Sequence, residues 1–304
     1  NTGAVNTYRD GLRACVDWFS FTLFHAESVL EVIDLLGLQY YDFQECKTGK
    51  HGYSKQLRFG HISILFEGNE NMGIHVEMSG QGCREYEQQK LKTWPELITD
   101  VLKEGGKFSR IDLAVDDFKG YFRINTLVRK IKEGLCRSKF KDARRIEKLD
   151  LNSANSKGNT IYYGSAQSRI QIRMYEKDLE QIGKGFELED DITIWNRTEI
   201  QLRNERADAV ARLMLGNTQV GGIVHGILAN YITFCKRTSD TNKARWPTAK
   251  FWSVFLGNVK PLKLSEVAPD RTIEKTYDWL NRQVTPSLAM IYEAFDQDHD
   301  VLFS

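Results

Sequence analysis

The 304-residue chain has only five cysteines and five prolines, and it lacks any long apolar run. Its apolar runs are a few residues long, so no segment can span a bilayer and we expect no membrane partner. The N-terminus also lacks the basic start and apolar core of a secretion signal. The cysteines stand far apart, at positions 15, 46, 83, 136 and 235, without zinc-finger spacing. This odd, scattered set is typical of reduced thiols in a cytoplasmic protein and argues against structural zinc.

The net charge of +1 does not mark the whole chain as a nucleic-acid binder, but its charges are unevenly distributed. Residues 129–148 carry nine Lys or Arg and three acidic residues, a local charge of about +6. Local basic patches, more than whole-chain charge, determine the attraction of phosphate. The segment is therefore either a phosphate-contact surface or a solvated basic face.

Six stretches alternate apolar and polar residues with a period of two, as strands with one buried face do. They cover residues 18–23, 61–66, 74–79, 110–116, 169–177 and 197–203. Their polar positions repeat Arg, Asp, Glu, Gln, His and Tyr, a set suited to binding metal and phosphate. The same set is also compatible with a surface of salt bridges.

Helical patterns separate and follow these strands, at residues 26–36, 93–103, 124–134, 206–215, 221–234 and 273–295. They predict an α+β protein with a curved, largely antiparallel or mixed sheet, helices on its apolar face and a catalytic polar face. We place a sheet-based catalytic domain at residues 1–205 and a mostly helical accessory region at residues 206–304. A strand followed by a helix occurs at the start of both halves of the sheet region, which hints at an internal duplication.

Tyr175 stands between Arg173 and Lys177 on the polar side of one predicted strand. A phenol is a poor nucleophile at its usual pKa of roughly 10, so attack on phosphorus needs a nearby cation or metal. Carboxylates are the ligands that Mg²⁺ prefers, and the polar sides of two other strands carry such groups. The candidate ligands are Asp112, Asp116 and Glu199. The alternatives are an ordinary surface tyrosine and aspartates paired with neighbouring arginines.

Six motifs occur in order along the chain, at residues 74–84, 110–117, 161–165, 172–178, 195–203 and 251–257. Together they resemble the Rep_trans replication initiators of Gram-positive rolling-circle plasmids, and the related relaxases of integrative conjugative elements. The resemblance extends from about residue 15 to residue 265.

The resemblance implies a plasmid rolling-circle replication initiator that nicks and rejoins one DNA strand at the double-strand origin. Members of this family become joined to the 5′ phosphate through a tyrosine and require a divalent metal, Mg²⁺ or Mn²⁺. They act as homodimers on double-stranded and single-stranded origin DNA, and they recruit a UvrD-type helicase.

Carried onto this sequence, the resemblance assigns the nucleophile to Tyr175, with Arg173 and Lys177 as catalytic neighbours. Tyr162 and Tyr163 are the alternatives. The histidine-hydrophobic-histidine motif of the other large rolling-circle class is absent, so we expect a mainly carboxylate metal site of Asp112, Asp116 and Glu199. His75 and Glu77 are outside candidates for the metal.

DNA contacts are predicted on two parts of the chain. On the strands the candidates are Arg110, Arg197 and Arg203. In the region that the family uses for origin recognition, basic residues alternate with Trp246 and Trp252, and the candidates are Lys243, Arg245 and Lys250. Alternatively, these tryptophans belong to the core. The glycines at positions 80 and 82 lack the lysine and hydroxyl of a phosphate-binding loop, so no nucleotide site is expected there.

Three other functions remain open from the sequence. A conjugative relaxase would use the same chemistry on a transfer origin. A DNA-binding regulator would have lost catalysis, and a metal nuclease would hydrolyse DNA with water and leave no covalent adduct.

Overall fold

The computed structural model describes residues 7–9, 11–152, 156–189, 192–216, 218–264, 277, 281 and 285–295. The chain divides into two compact units, residues 1–265 and residues 266–304. In the described residues the strands are β1 (Thr7–Arg9), β2 (Leu12–Leu23), β3 (Gln44–Glu45), β4 (Lys55–Phe59), β5 (Ile62–Phe66), β6 (Ile74–Met78), β7 (Lys107–Asp117), β8 (Cys136–Ser138), β9 (Ala143–Leu149), β10 (Ser156–Tyr163), β11 (Ile170–Glu176), β12 (Asn196–Arg203) and β13 (Ile232–Phe234).

The helices of the described residues lie between and after these strands. They are α1 (Val29–Leu36), α2 (Gly80–Gln89), α3 (Trp94–Lys103), α4 (Ile124–Lys132), α5 (Lys177–Gly183), α6 (Glu205–Met214), α7 (Val220–Tyr231), α8 (Lys250–Leu256) and α9 (Thr285–Ala294). Helix α9 belongs to the second unit, and the other eight belong to the first. No helix in the described part of the chain is long and apolar enough to cross a membrane.

One open antiparallel sheet of eleven strands organises the first unit. Its strands follow the order β3-β4-β5-β6-β2-β7-β12-β11-β10-β9, with β1 paired to β2. Strands β8 and β13 pair separately. The predicted α+β class with a largely antiparallel sheet is confirmed.

The apolar residues of the alternating strands form one core with the helices. Helix α3 illustrates the local reasons. Thr93 and Glu96 form a reciprocal capping box, Pro95 stands in the first turn, and Trp94 and Leu97 are buried. Such a cap satisfies backbone N–H groups that have no partner within the helix. The helices pack against the apolar face of the sheet, and the polar residues of the strands lie on the opposite face.

The two halves of the sheet repeat the same order of elements. In the first half β2 is followed by α1, a meander of β4, β5 and β6, and helix α2. In the second half β7 is followed by α4, a meander of β10, β11 and β12, and helix α6. Strands β2 and β7 are neighbours at the centre, and each pairs with the last strand of its own meander. This symmetry agrees with the internal duplication that the sequence hinted at.

All six predicted strands are present, one predicted helix is shorter than expected, and one helix was not predicted. The helix predicted over residues 221–234 ends at Tyr231, because Ile232–Phe234 forms a strand with β8. Residues 80–89, where only a glycine-containing loop was considered, form α2, with Ser79 capping its first turn. The part of the predicted helix at 273–284 lies mostly outside the described residues.

The first compact unit ends at residue 265, beyond the predicted boundary between residues 205 and 206. Helix α6 packs on β7 and β12, and α7 packs on β2 and β7. These helices therefore complete the core of the sheet unit. The functional division between a catalytic and an accessory region stays a prediction.

Candidate active site

The polar face of the second half of the sheet brings the predicted site residues into register. Glu199 on β12 stands between Ala114 of β7 and Arg173 of β11. Arg197 stands between Asp116 and Tyr175 in the same way. Directly opposed side chains on neighbouring strands lie about 5 Å apart at their Cβ atoms. The pairing of β7, β12 and β11 thus brings residues from three separate motifs together in one polar cluster.

Tyr175 and Glu199 are joined at the centre of this cluster. The phenol donates a hydrogen bond of 2.6 Å to Oε1 of Glu199, and Nε of Arg173 donates one of 2.8 Å to Oε2. Both Tyr175 and Glu199 are about 5% exposed, so water screens this contact little. Burial alone would raise the pKa of Glu199, but Arg173 and Arg197 outweigh it and hold that pKa below its usual value.

Two cations lie over the ring of Tyr175. The guanidinium carbon of Arg173 is 4.8 Å from the ring centroid, and Nζ of Lys177 is 5.5 Å from it. Burial and the charge of Glu199 still raise the pKa of Tyr175 above its ordinary value, although Arg197 and Arg173 act in the opposite direction. At neutral pH the phenol is therefore protonated, with a carboxylate in place to accept its proton.

Arg197 holds a second, deeper ion cluster. Its Nε and Nη2 atoms donate to the two oxygens of Asp116 at 2.6 and 2.8 Å. Nε1 of Trp195 donates to Oδ1 of the same carboxylate at 2.6 Å, and Arg13 lies 3.5 Å from Oδ2. Burial would raise the pKa of Asp116, but these partners, Arg197 foremost, lower it. Asp116 is fully buried and serves as the anchor of Arg197.

Asp17 enters the cluster through a β-bulge. The register of β2 against β7 shifts between Val16 and Trp18, so Asp17 is the extra residue. Its Oδ1 accepts a hydrogen bond of 2.9 Å from Nη1 of Arg197. Burial, only partly offset by Arg197, raises its pKa to about 6. Bulges redirect side chains in this way next to functional sites.

The three predicted metal ligands do not fit one ion in this arrangement. Asp112 and Asp116 are four residues apart on β7, about 13 Å along a strand, whereas two oxygens on one Mg²⁺ are at most about 4 Å apart. Asp112 is bound instead by Arg110, at 2.9 and 2.5 Å, and Glu199 by Arg173. Within the described ranges, no group of three His, Cys, Asp or Glu residues is arranged to hold a metal. We assign no catalytic step to a metal, and metal dependence stays a prediction.

The two alternative tyrosines occupy opposite faces of β10. Tyr162 is opposite Arg173 on the neighbouring strand, and the guanidinium carbon of Arg144 lies 5.1 Å from its ring centroid. Tyr163 is 1% exposed and belongs to the apolar core, where burial raises its pKa well above the usual value. Tyr162 therefore shares the polar face with Tyr175, and Tyr163 does not.

His75 and Glu77 lie in the first half of the sheet, on β6. Nδ1 of His75 is 2.8 Å from the hydroxyl of Thr22, and burial lowers the pKa of His75 to about 4. Glu77 pairs with Lys50 at 2.5 Å. Neither residue contacts the Tyr175 cluster, since three strand spacings separate β6 from β12.

Two family models match the chain in succession. Residues 13–100 match the rolling circle replication initiation protein N-terminal domain, and residues 106–304 match the replication initiation factor model. The chain belongs to the replication initiation factor family. The resemblance to Rep_trans that the motifs indicated is confirmed, and the boundary between the two matches falls between the two halves of the sheet.

Two individual proteins resemble this replication initiation factor over most of its length. A Bacillus subtilis (strain 168) protein named "Putative DNA relaxase NicK" is 33% identical over 279 residues, covering 90% of this chain and 79% of its own. The solved structure of a rolling circle replication initiator protein from Geobacillus stearothermophilus is 42% identical, with a TM-score of 0.77. It covers 84% of this chain and 99% of its own.

The predicted DNA-contact residues of this replication initiation factor have different surroundings. Arg197 is 6% exposed, and its guanidinium is paired with Asp116 and Asp17. Arg110 pairs with Asp112, and its guanidinium carbon lies 4.2 Å from the ring centroid of Trp18. Arg203, half-buried, is opposite Arg110 on the polar face.

The C-terminal candidates are more exposed but mostly engaged within the chain. Nζ of Lys243 donates to the carbonyl of Cys136 at 2.6 Å, and Arg245 pairs with Asp240 at 2.6 Å. Lys250 is exposed at the start of α8. Trp252 is fully buried in the core of this replication initiation factor, whereas Trp246 is half-buried. The alternative that assigned the tryptophans to the core is therefore correct for Trp252.

Sequence reasoning missed Asp17 and Trp195, which both contact the ion cluster. A signal for Asp17 was present, because the apolar positions of β2 change phase from Leu12, Ala14 and Val16 to Phe19, Phe21 and Leu23. A phase change within one strand indicates a bulge. Trp195 gave no such signal, since its bond to Asp116 depends on tertiary packing.

Proposed function

We propose that this replication initiation factor nicks and rejoins one strand of plasmid DNA at its double-strand origin, with Tyr175 as the nucleophile. The observation that carries the proposal is the 2.6 Å hydrogen bond from the buried phenol to Glu199, beneath two cations. A nucleophile, a base and an orienting partner in hydrogen-bond contact are the arrangement that covalent catalysis needs.

In the forward step the phenol oxygen of Tyr175 attacks phosphorus and passes its proton to Glu199. The bond from phosphorus to the 3′ oxygen of the preceding nucleotide breaks, and that oxygen takes up a proton to become a 3′-hydroxyl. The 5′ phosphate remains attached to Tyr175. The reverse reaction, attack by a 3′-hydroxyl on the phosphotyrosine, reseals the strand without an external energy source.

The arginines act on charge that develops during this step. Arg173 is about two-fifths exposed and reaches both Glu199 and the ring of Tyr175, so a phosphate at the phenol would lie within its reach. Bidentate contact with phosphate is the characteristic role of arginine. Lys177, partly held by Glu180, adds a second positive charge beside the phenol.

We also infer a requirement for Mg²⁺ or Mn²⁺, which would neutralise charge on the phosphate oxygens. This inference rests on the family resemblance. EDTA is expected to abolish cleavage and added Mn²⁺ to restore it; full cleavage in EDTA would contradict the requirement.

The proposed partners are origin DNA in double-stranded and single-stranded form, a second copy of the chain, and a UvrD-type helicase, in the cytoplasm. The surface of the basic segment supports a DNA partner, because all seven residues of β9 are exposed and three of them are basic: Arg144, Arg145 and Lys148.

A conjugative relaxase is the second candidate function, favoured by the name of the Bacillus subtilis relative. Its chemistry is the same, and only the DNA differs. Cleavage of a replication origin and of a transfer origin from the host element, measured side by side, separates the two.

Covalent trapping tests the chemistry directly. The full chain is incubated with Mn²⁺ and single-stranded DNA of the host replicon, digested with trypsin and analysed by mass spectrometry. A nucleotide adduct on Tyr175 is expected. An adduct on Tyr162 would move the nucleophile, cleavage without an adduct would indicate hydrolysis by water, and binding without cleavage would indicate a regulator.

A further inference from the structure

A polar cleft of about 380 Å³ opens on the first half of the sheet, away from the Tyr175 cluster. Trp18, Gln56, Arg58, Ser63 and Glu77 contribute to its lining. The volume falls within the range of small-molecule sites, roughly 300–1,000 Å³. None of these residues has a part in the proposed cleavage step.

The cleft occupies the place that the Tyr175 cluster has in the other half. In the second half, a row across the strands runs from Ala114 through Glu199 and Arg173 to Tyr162.

The corresponding row of the first half runs from Ser20 through Glu77 and Ser63 to Arg58. A glutamate therefore stands on the last strand of each meander. The tyrosine, however, has no counterpart, because the residue two positions after Ser63 is Leu65, which is buried. The first half has the architecture of the site without its nucleophile.

The groups of the cleft match those of a nucleotide. Trp18 offers an aromatic ring, on which any of the four bases can stack. Gln56 and Ser63 are hydrogen-bonded to each other at 3.0 Å and present amide and hydroxyl groups. Arg58 is exposed, and its Nε donates to the carbonyl of Gly60 at 2.7 Å. No carboxylate of the described residues pairs with it, so its remaining N–H groups can meet a phosphate.

We propose that this cleft binds one nucleotide of the single-stranded DNA on which Tyr175 acts, and holds the strand without cutting it. The inference rests on the proposed function for its ligand. Both sites lie on the polar face of one sheet, and Arg110, stacked on Trp18, stands between them. From strand spacing, Glu77 and Glu199 are roughly 20 Å apart, a span of at most about six nucleotides at a rise of 3.4 Å.

The test measures affinity of the full chain for fluorescein-labelled dT20 without divalent metal, by anisotropy. Trp18→Leu is expected to weaken binding about tenfold, and Arg58→Ala several-fold with a shallower salt dependence. Arg212→Ala, which removes an exposed arginine on α6, is the matched control and leaves the affinity unchanged. Parent-like binding of dT20 by both cleft variants would overturn the proposal.

Photo-cross-linking covers the case in which Trp18→Leu fails to fold. A single 5-iododeoxyuridine is placed at successive positions of dT20, and the parent chain is irradiated. Adducts on the peptide that contains Trp18 support the proposal, and their absence at every position overturns it. Competition by free dTMP shows whether the cleft binds a nucleotide within a DNA strand or a free mononucleotide. Millimolar dTMP is expected not to displace dT20, whereas full displacement would assign the cleft to free nucleotides.

The covalent adduct on Tyr175 is measured on the same variants with saturating replicon DNA. If no adduct forms even on the parent, the proposed function fails. If the adduct forms but the cleft variants bind dT20 as the parent does, only the cleft inference fails.

Discussion

The phenol of Tyr175 donates to Glu199 on the neighbouring strand although the two residues are not directly opposite: Glu199 is paired with Arg173. The diagonal contact leaves one carboxylate oxygen for the phenol and the other for the guanidinium. Glu199 can therefore accept a proton from Tyr175 while Arg173 keeps its orientation.

Glu199→Gln is expected to reduce the rate of strand cleavage by about 10²- to 10⁴-fold, because an amide cannot accept the phenol proton. The effect should appear in the rate of adduct formation at saturating DNA and leave the affinity for DNA within a few-fold. Gln201→Glu, two positions along the same strand, controls for a change of charge on β12. An unchanged rate in Glu199→Gln would remove Glu199 from the step.

Tyr175→Phe is expected to abolish the adduct and cleavage, with a loss of at least about 10³-fold. Tyr162→Phe is the matched control, because it removes the same hydroxyl group from a residue on the same polar face, and it should retain cleavage within about tenfold. Gel assays of the nicking of an intact oligonucleotide measure both variants. The reverse ranking would assign the nucleophile to Tyr162.

Asp116→Asn is expected to destabilise the fold by about 3–5 kcal/mol, because Arg197 would lose its closest anion in a buried site. Asp112→Asn, whose partner Arg110 is partly exposed, should cost clearly less. Urea unfolding of both variants gives the comparison. Equal stability of Asp116→Asn and the parent would show that the ion cluster does not anchor β12.

His75 makes stability depend on pH between about 4 and 6.5. Its pKa in the folded chain is about 4, compared with 6.5 for an unperturbed histidine, because burial disfavours the charged ring. The unfolded chain binds the proton first, so this contribution is fully present above pH 6.5 and is lost as pH falls towards 4.

The parent should therefore lose more stability than His75→Gln between pH 7 and pH 4.5. Comparing the two proteins cancels the opposite contribution of Asp17, whose raised pKa lowers stability as pH rises from 3.8 to about 6. Chemical unfolding at the two pH values is the measurement. Parallel changes in both proteins would contradict the burial of His75.

Arg144→Ala is expected to weaken binding of double-stranded DNA and to reduce the slope of log affinity against log salt by about one. Arg245→Ala should have a smaller effect, because Asp240 already occupies its guanidinium. Titrations at several salt concentrations compare them. A larger effect at Arg245 would favour the Trp246 region as the main DNA surface.

The strands were predictable because the alternation of apolar and polar residues along the sequence directly indicates which side chains are buried. It also predicted that Tyr175, Arg173 and Glu199 lie on the polar face of the sheet, since all three occupy polar positions. Pairing was not predictable in the same way: Arg197 meets Asp17 only because of strand order and register, which the local pattern does not specify. Asp112 and Asp116, two of the predicted metal ligands, are not brought together for a related reason: they share a face of β7 but lie four residues apart along it.

The phase change at Asp17 serves the ion cluster and not the core. If Asp17 were deleted, Val16 and Phe19 would still face the core and Trp18 would still face the polar side, because the alternation would then run without interruption. The apolar interior gains nothing from the additional residue. What the additional residue supplies is a carboxylate for Arg197, so a one-residue deletion should yield a well-folded protein with an altered cleavage centre.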